Sequence, residues 1–62
     1  MKFVWFTKAN GKPVAVNPDR IDAIFGAHND AGQSLISFGK DDHIIVEGTP
    51  EQVVAAIDSA AK

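Results

Sequence analysis

The chain has 62 residues, which allows one small domain and leaves too little surface to bury for a robust core without an idealised fold or an oligomer. It contains no cysteine, so disulfides and thiolate metal sites are excluded. The formal net charge of −2 provides no basic stripe of the kind that binds nucleic acid. No apolar run reaches the roughly 20 residues that span a bilayer, and the opening six residues are too short for a signal peptide, so we expect a cytoplasmic protein.

The first predicted element is a hairpin. Aromatic and β-branched residues from Lys2 to Lys8 are typical of a strand, and Asn10-Gly11 is a strong signal for a tight turn because both residue types tolerate positive φ. The second strand is Pro13–Val16, and its proline suits only the start of a strand or an edge. Asn17-Pro18-Asp19 predicts the next turn, since the proline keeps the residue before it out of the helical region.

Three further strands are predicted up to residue 47. The third is Ile21 to Ala27, with a bulge or a close backbone approach at Gly26, and a polar loop follows it from His28 to Gln33. The fourth is Ser34 to Phe38 and the fifth is His43 to Glu47, separated by a turn. Short strands joined by short turns predict an antiparallel meander.

Residues 48 to 62 predict a helix. Thr49 is a good N-cap, Pro50 suits the first helical position, and Gln52 stands three residues after the cap. Apolar residues recur along one side, at Val53, Val54, Ile57, Ala60 and Ala61. The predicted fold is therefore a single α+β domain over residues 1–62, in which a five-stranded antiparallel meander, flat or strongly curled, is covered by one C-terminal helix.

The predicted strands are apolar on both faces, whereas one helix covers only one face. Phe3 and Trp5 point away from their neighbours in the first strand, and Ile45 points away from its neighbours in the fifth. The surplus needs a second cover: another copy stacked sheet on sheet, a different protein, or a sheet that curls closed on itself. We expect the contact residues to be Phe3, Trp5, Leu35 and Ile45, with Trp5 as the anchor.

The polar residues do not form a recognisable reaction centre. A metal site could be drawn from His28 and Asp30 with Asp41, Asp42 and His43, but this spacing matches no established ligand pattern, and Asp in loops is an ordinary turn former. The serines lack a nucleophile-elbow context, and the glycines form no phosphate-binding loop. We predict no catalytic residue, no metal, no cofactor and no enzymatic activity.

Two other functions stay open. The aromatic residues of the first strand, together with Lys2, Lys8, Lys12 and Lys40, are compatible with a nucleic-acid-binding regulator, although the acidic net charge opposes it. A phage-type inhibitory protein that adds a strand to the edge of a target is compatible with the size and acidity.

Three stretches carry a resemblance to a known family: Asn10-Gly11-Lys12, Asn17 to Ile24, and the segment Glu51 to Ile57 of the predicted helix. With these motifs the chain resembles the FlbD-type family, small bacterial proteins linked to flagellar and swarming motility. The resemblance implies a cytoplasmic accessory or regulatory protein without enzymatic activity, and it supplies no catalytic residues.

Overall fold

The structure is a computed structural model that describes residues 3–27 and 32–61. In chain order, its elements are β1 (Val4–Thr7), β2 (Pro13–Val16), a 3-10 helix (Pro18–Arg20), β3 (Ala23–Gly26), β4 (Gln33–Gly39), β5 (Asp42–Glu47) and α1 (Pro50–Ala61). The predicted α+β class, with antiparallel strands and one C-terminal helix, is confirmed. The fold positions α1 on one side of the strands, and the opposite side is called the outer face below.

The prediction of one five-stranded meander is wrong, because the strands form two sheets. β1 pairs with β2, and β3, β4 and β5 form a second antiparallel sheet in that order. The reason lies between β2 and β3, where the Asn17 side chain accepts a hydrogen bond of 3.0 Å from the Asp19 backbone N–H and opens the 3-10 helix. The turn predicted at this point is confirmed, but it carries the chain away from β2 instead of folding it back as a hairpin.

The two sheets touch at the end of β1. Lys8 forms an isolated antiparallel bridge with Val46, and the Ala9 N–H donates a hydrogen bond of 3.0 Å to the Ile45 carbonyl. β1 therefore lies beside β5 at this point, and β2 and β3 remain as the outer strands of the arrangement. The position of Pro13 at the start of β2 agrees with its predicted place at a strand start or edge.

The first hairpin turn is confirmed at the predicted residues. The Gly11 N–H donates to the Lys8 carbonyl over 2.8 Å, and the Lys12 N–H donates to Asn10 Oδ1 over 3.0 Å. Gly11 adopts a φ of 88°, whereas Asn10 does not have a positive φ. The left-handed residue of this turn is thus the glycine alone.

Two details of β3 and β4 differ from the prediction. β3 begins at Ala23 instead of Ile21, because the preceding residues belong to the exit from the 3-10 helix. Gly26 pairs in regular register with Ser34, and a Cβ there would meet Pro50 Cγ at an ordinary 3.9 Å, so the predicted bulge or close approach is wrong. The irregularity lies instead in β4, between Ser37 and Gly39.

The core lies between α1 and the inner faces of the sheets. Ile36 of β4, Val46 of β5 and Val53 of α1 are almost completely buried. Residues of every strand pack against them in part, namely Phe6, Val14, Ile24, Phe38 and Ile44, together with Ile21 and Ile57. Val54, predicted on the covered side of the helix, is 44% exposed because it follows Val53 by 100° around the axis.

Candidate interaction surface

The outer face carries large apolar side chains on both sheets. Successive side chains of β1 point to opposite faces of the sheet, so Val4 is buried on the inner face and Trp5, on the outer face, is 69% exposed. Phe3, Phe25 and Ile45 are also exposed. The inner-face residues are covered by α1 and by the core, so these outer side chains, together with Val54 on α1, are the large apolar side chains that the described fold leaves in solvent.

Three of these side chains form a row across the second sheet. The register pairs Phe25 of β3 with Leu35 of β4, and Leu35 with Ile45 of β5. Residues directly opposite in antiparallel strands project from the same face, so the three side chains lie side by side. Phe25 is 54% exposed, Ile45 is 37% exposed and Leu35, between them, is half-buried. We call these three residues the apolar row.

Polar residues border the apolar row along the strands. On one side Gln33 pairs with Glu47, and the Gln33 side-chain amide donates a hydrogen bond of 2.7 Å from Nε2 to Glu47 Oε2. On the other side Ser37 pairs with His43, which is exposed. An apolar centre with a polar rim is the anatomy of a protein-protein contact.

Phe3 and Trp5 lie on a different part of the outer face. Trp5 pairs with Ala15 of β2 and stands four residues before Ala9, whose N–H reaches Ile45. At about 3.3 Å per residue, that distance along β1 is roughly 13 Å. The structure therefore brings together Leu35 and Ile45 of the predicted contact residues, whereas the exposed Phe3 and Trp5 lie apart from them.

Phe25 was not among the predicted contact residues, although it is one of the most exposed. The sequence places it on the same side as Ala23 and opposite Ile24, which is correct for the strand. What the sequence does not give is the register of the β3–β4 hairpin, which aligns Phe25 with Leu35. The loop that sets this register has no turn signal as specific as Asn-Gly.

A cleft of about 250 Å³ opens between β2 and the β4–β5 hairpin. Its floor is apolar, with Val14, Val16, Phe38 and Ile44, and its polar groups include Arg20 and Asp42. Arg20 and Asp42 are both exposed and carry opposite formal charges, so the lining has no net formal charge. It lies between the sheets and does not include the apolar row.

The polar sites that the sequence analysis considered as alternatives gain no support from the geometry. Among residues 3–27 and 32–61 no group of three or more His, Asp or Glu side chains is placed to hold a metal ion, and His28 and Asp30 lie outside the described residues. Of the lysines proposed to contact nucleic acid, Lys8 is half-buried beside Val46, and Lys2 is not described. In the part of the chain that the structure describes, α1 is too short to be a membrane-spanning helix.

Comparison with known proteins adds no assignment. No family model matches the chain, and neither the curated proteins nor the solved structures contain a match. The FlbD-type resemblance stays a prediction from the sequence motifs.

Proposed function

We propose that this protein is a small cytoplasmic interaction module without enzymatic activity, which self-associates through the outer face of its sheets. The proposed contact residues are Phe3, Trp5, Leu35 and Ile45, and we add Phe25 to them because it pairs with Leu35 and is exposed. Docking of a different protein on the same face is the alternative.

The observation that supports this proposal is the apolar row with its polar rim. Burial of apolar surface stabilises a contact by about 25 cal/mol per Å². A single apolar side chain exposed to solvent is common and does not by itself indicate a contact. Phe25, Leu35 and Ile45, however, are aligned by backbone pairing into one continuous strip. Such strips, bordered by polar residues, are the surfaces that proteins use for contacts.

The proposed association is weak. Three strands spaced about 4.8 Å apart, the longest of them 7 residues, present a face of about 14 Å by 23 Å, or about 320 Å², which is smaller than the roughly 800 Å² per partner of a standard interface. The module should therefore be monomeric in dilute solution and dimeric near about 1 mM, a concentration range typical of small interfaces.

Sedimentation equilibrium of the wild type, Trp5→Ala and Ile45→Thr tests the proposal. A wild-type mass that rises with concentration toward two chains is expected, and Ile45→Thr should hold it near one chain while keeping a residue that favours strands. For Trp5→Ala we expect a similar loss, on the order of 2 kcal/mol or about thirtyfold in the dissociation constant, because a buried aromatic side chain carries a large share of the energy of an interface.

Val54→Ala is the matched control. Val54 is also an exposed apolar residue, but it lies on α1 and away from the outer face, so its truncation should leave the mass unchanged. A wild type that stays at one chain throughout, or an equal effect of Val54→Ala, would contradict self-association through this face. Circular dichroism of each variant checks that the fold is retained.

A further inference from the structure

The polar residues that border the apolar row determine how two copies fit together. Because this inference rests on the proposed self-association, it concerns only the direction of the two-fold axis. Two sheets that stack face to face and are related by a two-fold axis must have that axis in the plane between them. In the aligned packing of two sheets, in which the strands of the two copies stay within about 30° of each other, the axis runs close either to the apolar row or to the strands.

The two directions bring different residues together. With the axis along the strands, β5 of one copy faces β3 of the other, and Glu47 and His43 then face Ala27 and Ala23. With the axis along the row, β5 faces β5 and the two polar borders exchange places. The register assigns Gln33 and Glu47 to one border and Ser37 and His43 to the other.

An axis along the row therefore pairs unlike polar groups twice. Glu47 of each copy faces His43 of the other, and an imidazole N–H can donate to a carboxylate oxygen in either protonation state of the ring. Gln33 similarly faces Ser37. The arrangement along the strands instead sets the Glu47 carboxylate against a methyl group, so the second copy displaces water from the charge and supplies no donor in its place.

We propose that two copies of this chain stack with their two-fold axis along the apolar row, so that Phe25, Leu35 and Ile45 each meet their own counterpart and Glu47 binds His43 of the second copy. The hydrogen bond from Gln33 holds the Glu47 carboxylate on the outer face, in position for this contact. The partner is then a second copy of the chain in one defined orientation.

Cross-linking between single introduced cysteines tests the direction of the axis. Each cross-link can be assigned to one position, because the chain contains no cysteine of its own. Stacked sheets lie about 10 Å apart, so facing cysteines come within reach of a short thiol cross-linker such as dibromobimane, whereas a lateral offset of two strands, about 9.6 Å, puts them out of reach. Ile45→Cys alone should cross-link to a dimer if the axis follows the row. A mixture of Phe25→Cys and Ile45→Cys should give only the two homodimers, which intact mass separates from the mixed dimer.

Leu35→Cys separates failure of this inference from failure of the proposed function. Leu35 lies at the centre of the row and meets its counterpart with either axis, so it should cross-link whenever the outer faces stack. One outcome would show that the proposed axis is wrong while the stacking of the outer faces is right. In that outcome, Leu35→Cys cross-links, Ile45→Cys does not cross-link to itself, and Ile45→Cys forms a mixed dimer with Phe25→Cys. No cross-link from any of the three would reject stacking at this face. Val54→Cys on the exposed side of α1 gives the background from random collisions.

A new carboxylate at position 43 provides an independent test of the same contact. His43→Glu sets two carboxylates against each other at both symmetric contacts and should raise the dissociation constant roughly three- to tenfold. Ser59→Glu adds the same charge on the exposed side of α1 and should have little effect. Adding Glu47→His to His43→Glu restores the pairing and should restore the affinity, whereas an unchanged dissociation constant for His43→Glu would overturn the contact.

Discussion

Gly48 shows how one residue connects the two parts of the fold. It lies between β5 and α1 with a φ of +110°, a conformation that L side chains rarely adopt. Its N–H donates to the Gly32 carbonyl over 2.8 Å, and its carbonyl accepts a bond of 2.7 Å from the hydroxyl of the fully buried Ser34. The helix is thereby fixed to the β3–β4 end of the sheet. The sequence marks Gly48 as a turn residue, but these bonds join residues 14 or more positions apart and have no local signal.

Replacement of Gly48 by alanine should lower the free energy of unfolding by about 1 to 2 kcal/mol, because the side chain is strained at positive φ. The new Cβ would meet Gln52 Oε1 at 3.5 Å, an ordinary contact, so the loss comes from the backbone conformation and not from crowding. Urea unfolding followed by circular dichroism measures it.

Gly26→Ala is the matched control for this change. Gly26 does not have a positive φ, and its Cβ would lie 3.9 Å from Pro50 Cγ. This variant should be neutral or up to about 1 kcal/mol more stable, because alanine restricts the unfolded chain. Equal losses from both variants would contradict the role given to the φ of Gly48.

The helix is the element that local sequence predicts best. Thr49 and Gln52 form a reciprocal capping box: the Gln52 N–H donates to Thr49 Oγ1 over 3.2 Å, and the Thr49 N–H donates to Gln52 Oε1 over 2.9 Å. Every group in this motif lies within four residues, so the sequence contains all of it. The strands are predicted within one or two residues for the same reason. Their division into two sheets depends on where the 3-10 helix sends the chain, which strand patterning does not encode.

Truncation of the capping glutamine tests how much this motif contributes. Gln52→Ala leaves the Thr49 N–H without its side-chain acceptor and should destabilise the fold by about 0.5 to 1.5 kcal/mol. Gln52→Glu keeps an acceptor oxygen and adds a favourable charge near the helix N-terminus, so it should be neutral or stabilising. If thermal unfolding shows that Gln52→Ala and Gln52→Glu lower the stability of the fold by the same amount, the capping hydrogen bond does not contribute to that stability.

The molecule as a whole combines a covered inner face with an exposed outer one. The sequence indicates this imbalance, because the alternation in β1 and β5 places Trp5 and Ile45 opposite core residues, and both are exposed in the structure. It does not indicate that the exposed residues form two separate groups. That separation follows from the change of sheet between β1 and β5, where only the end of β1 reaches its neighbour.

Backbone pairing joins the two sheets only at this short junction, so we predict that the first sheet opens before the second. β4 is paired on both sides and contains fully buried Ile36, whereas β2 is paired on one side only. Amide hydrogen exchange in β4 should therefore require global unfolding and be slower than in β2 by on the order of tenfold or more. Ala9→Pro should widen the difference, because it removes the N–H that donates to Ile45 at a turn position that suits proline. Ala9→Ser keeps this N–H and should exchange like the wild type. If Ala9→Pro accelerates amide hydrogen exchange in β4 as much as in β2, the two sheets unfold as one unit and the junction is not their weakest connection.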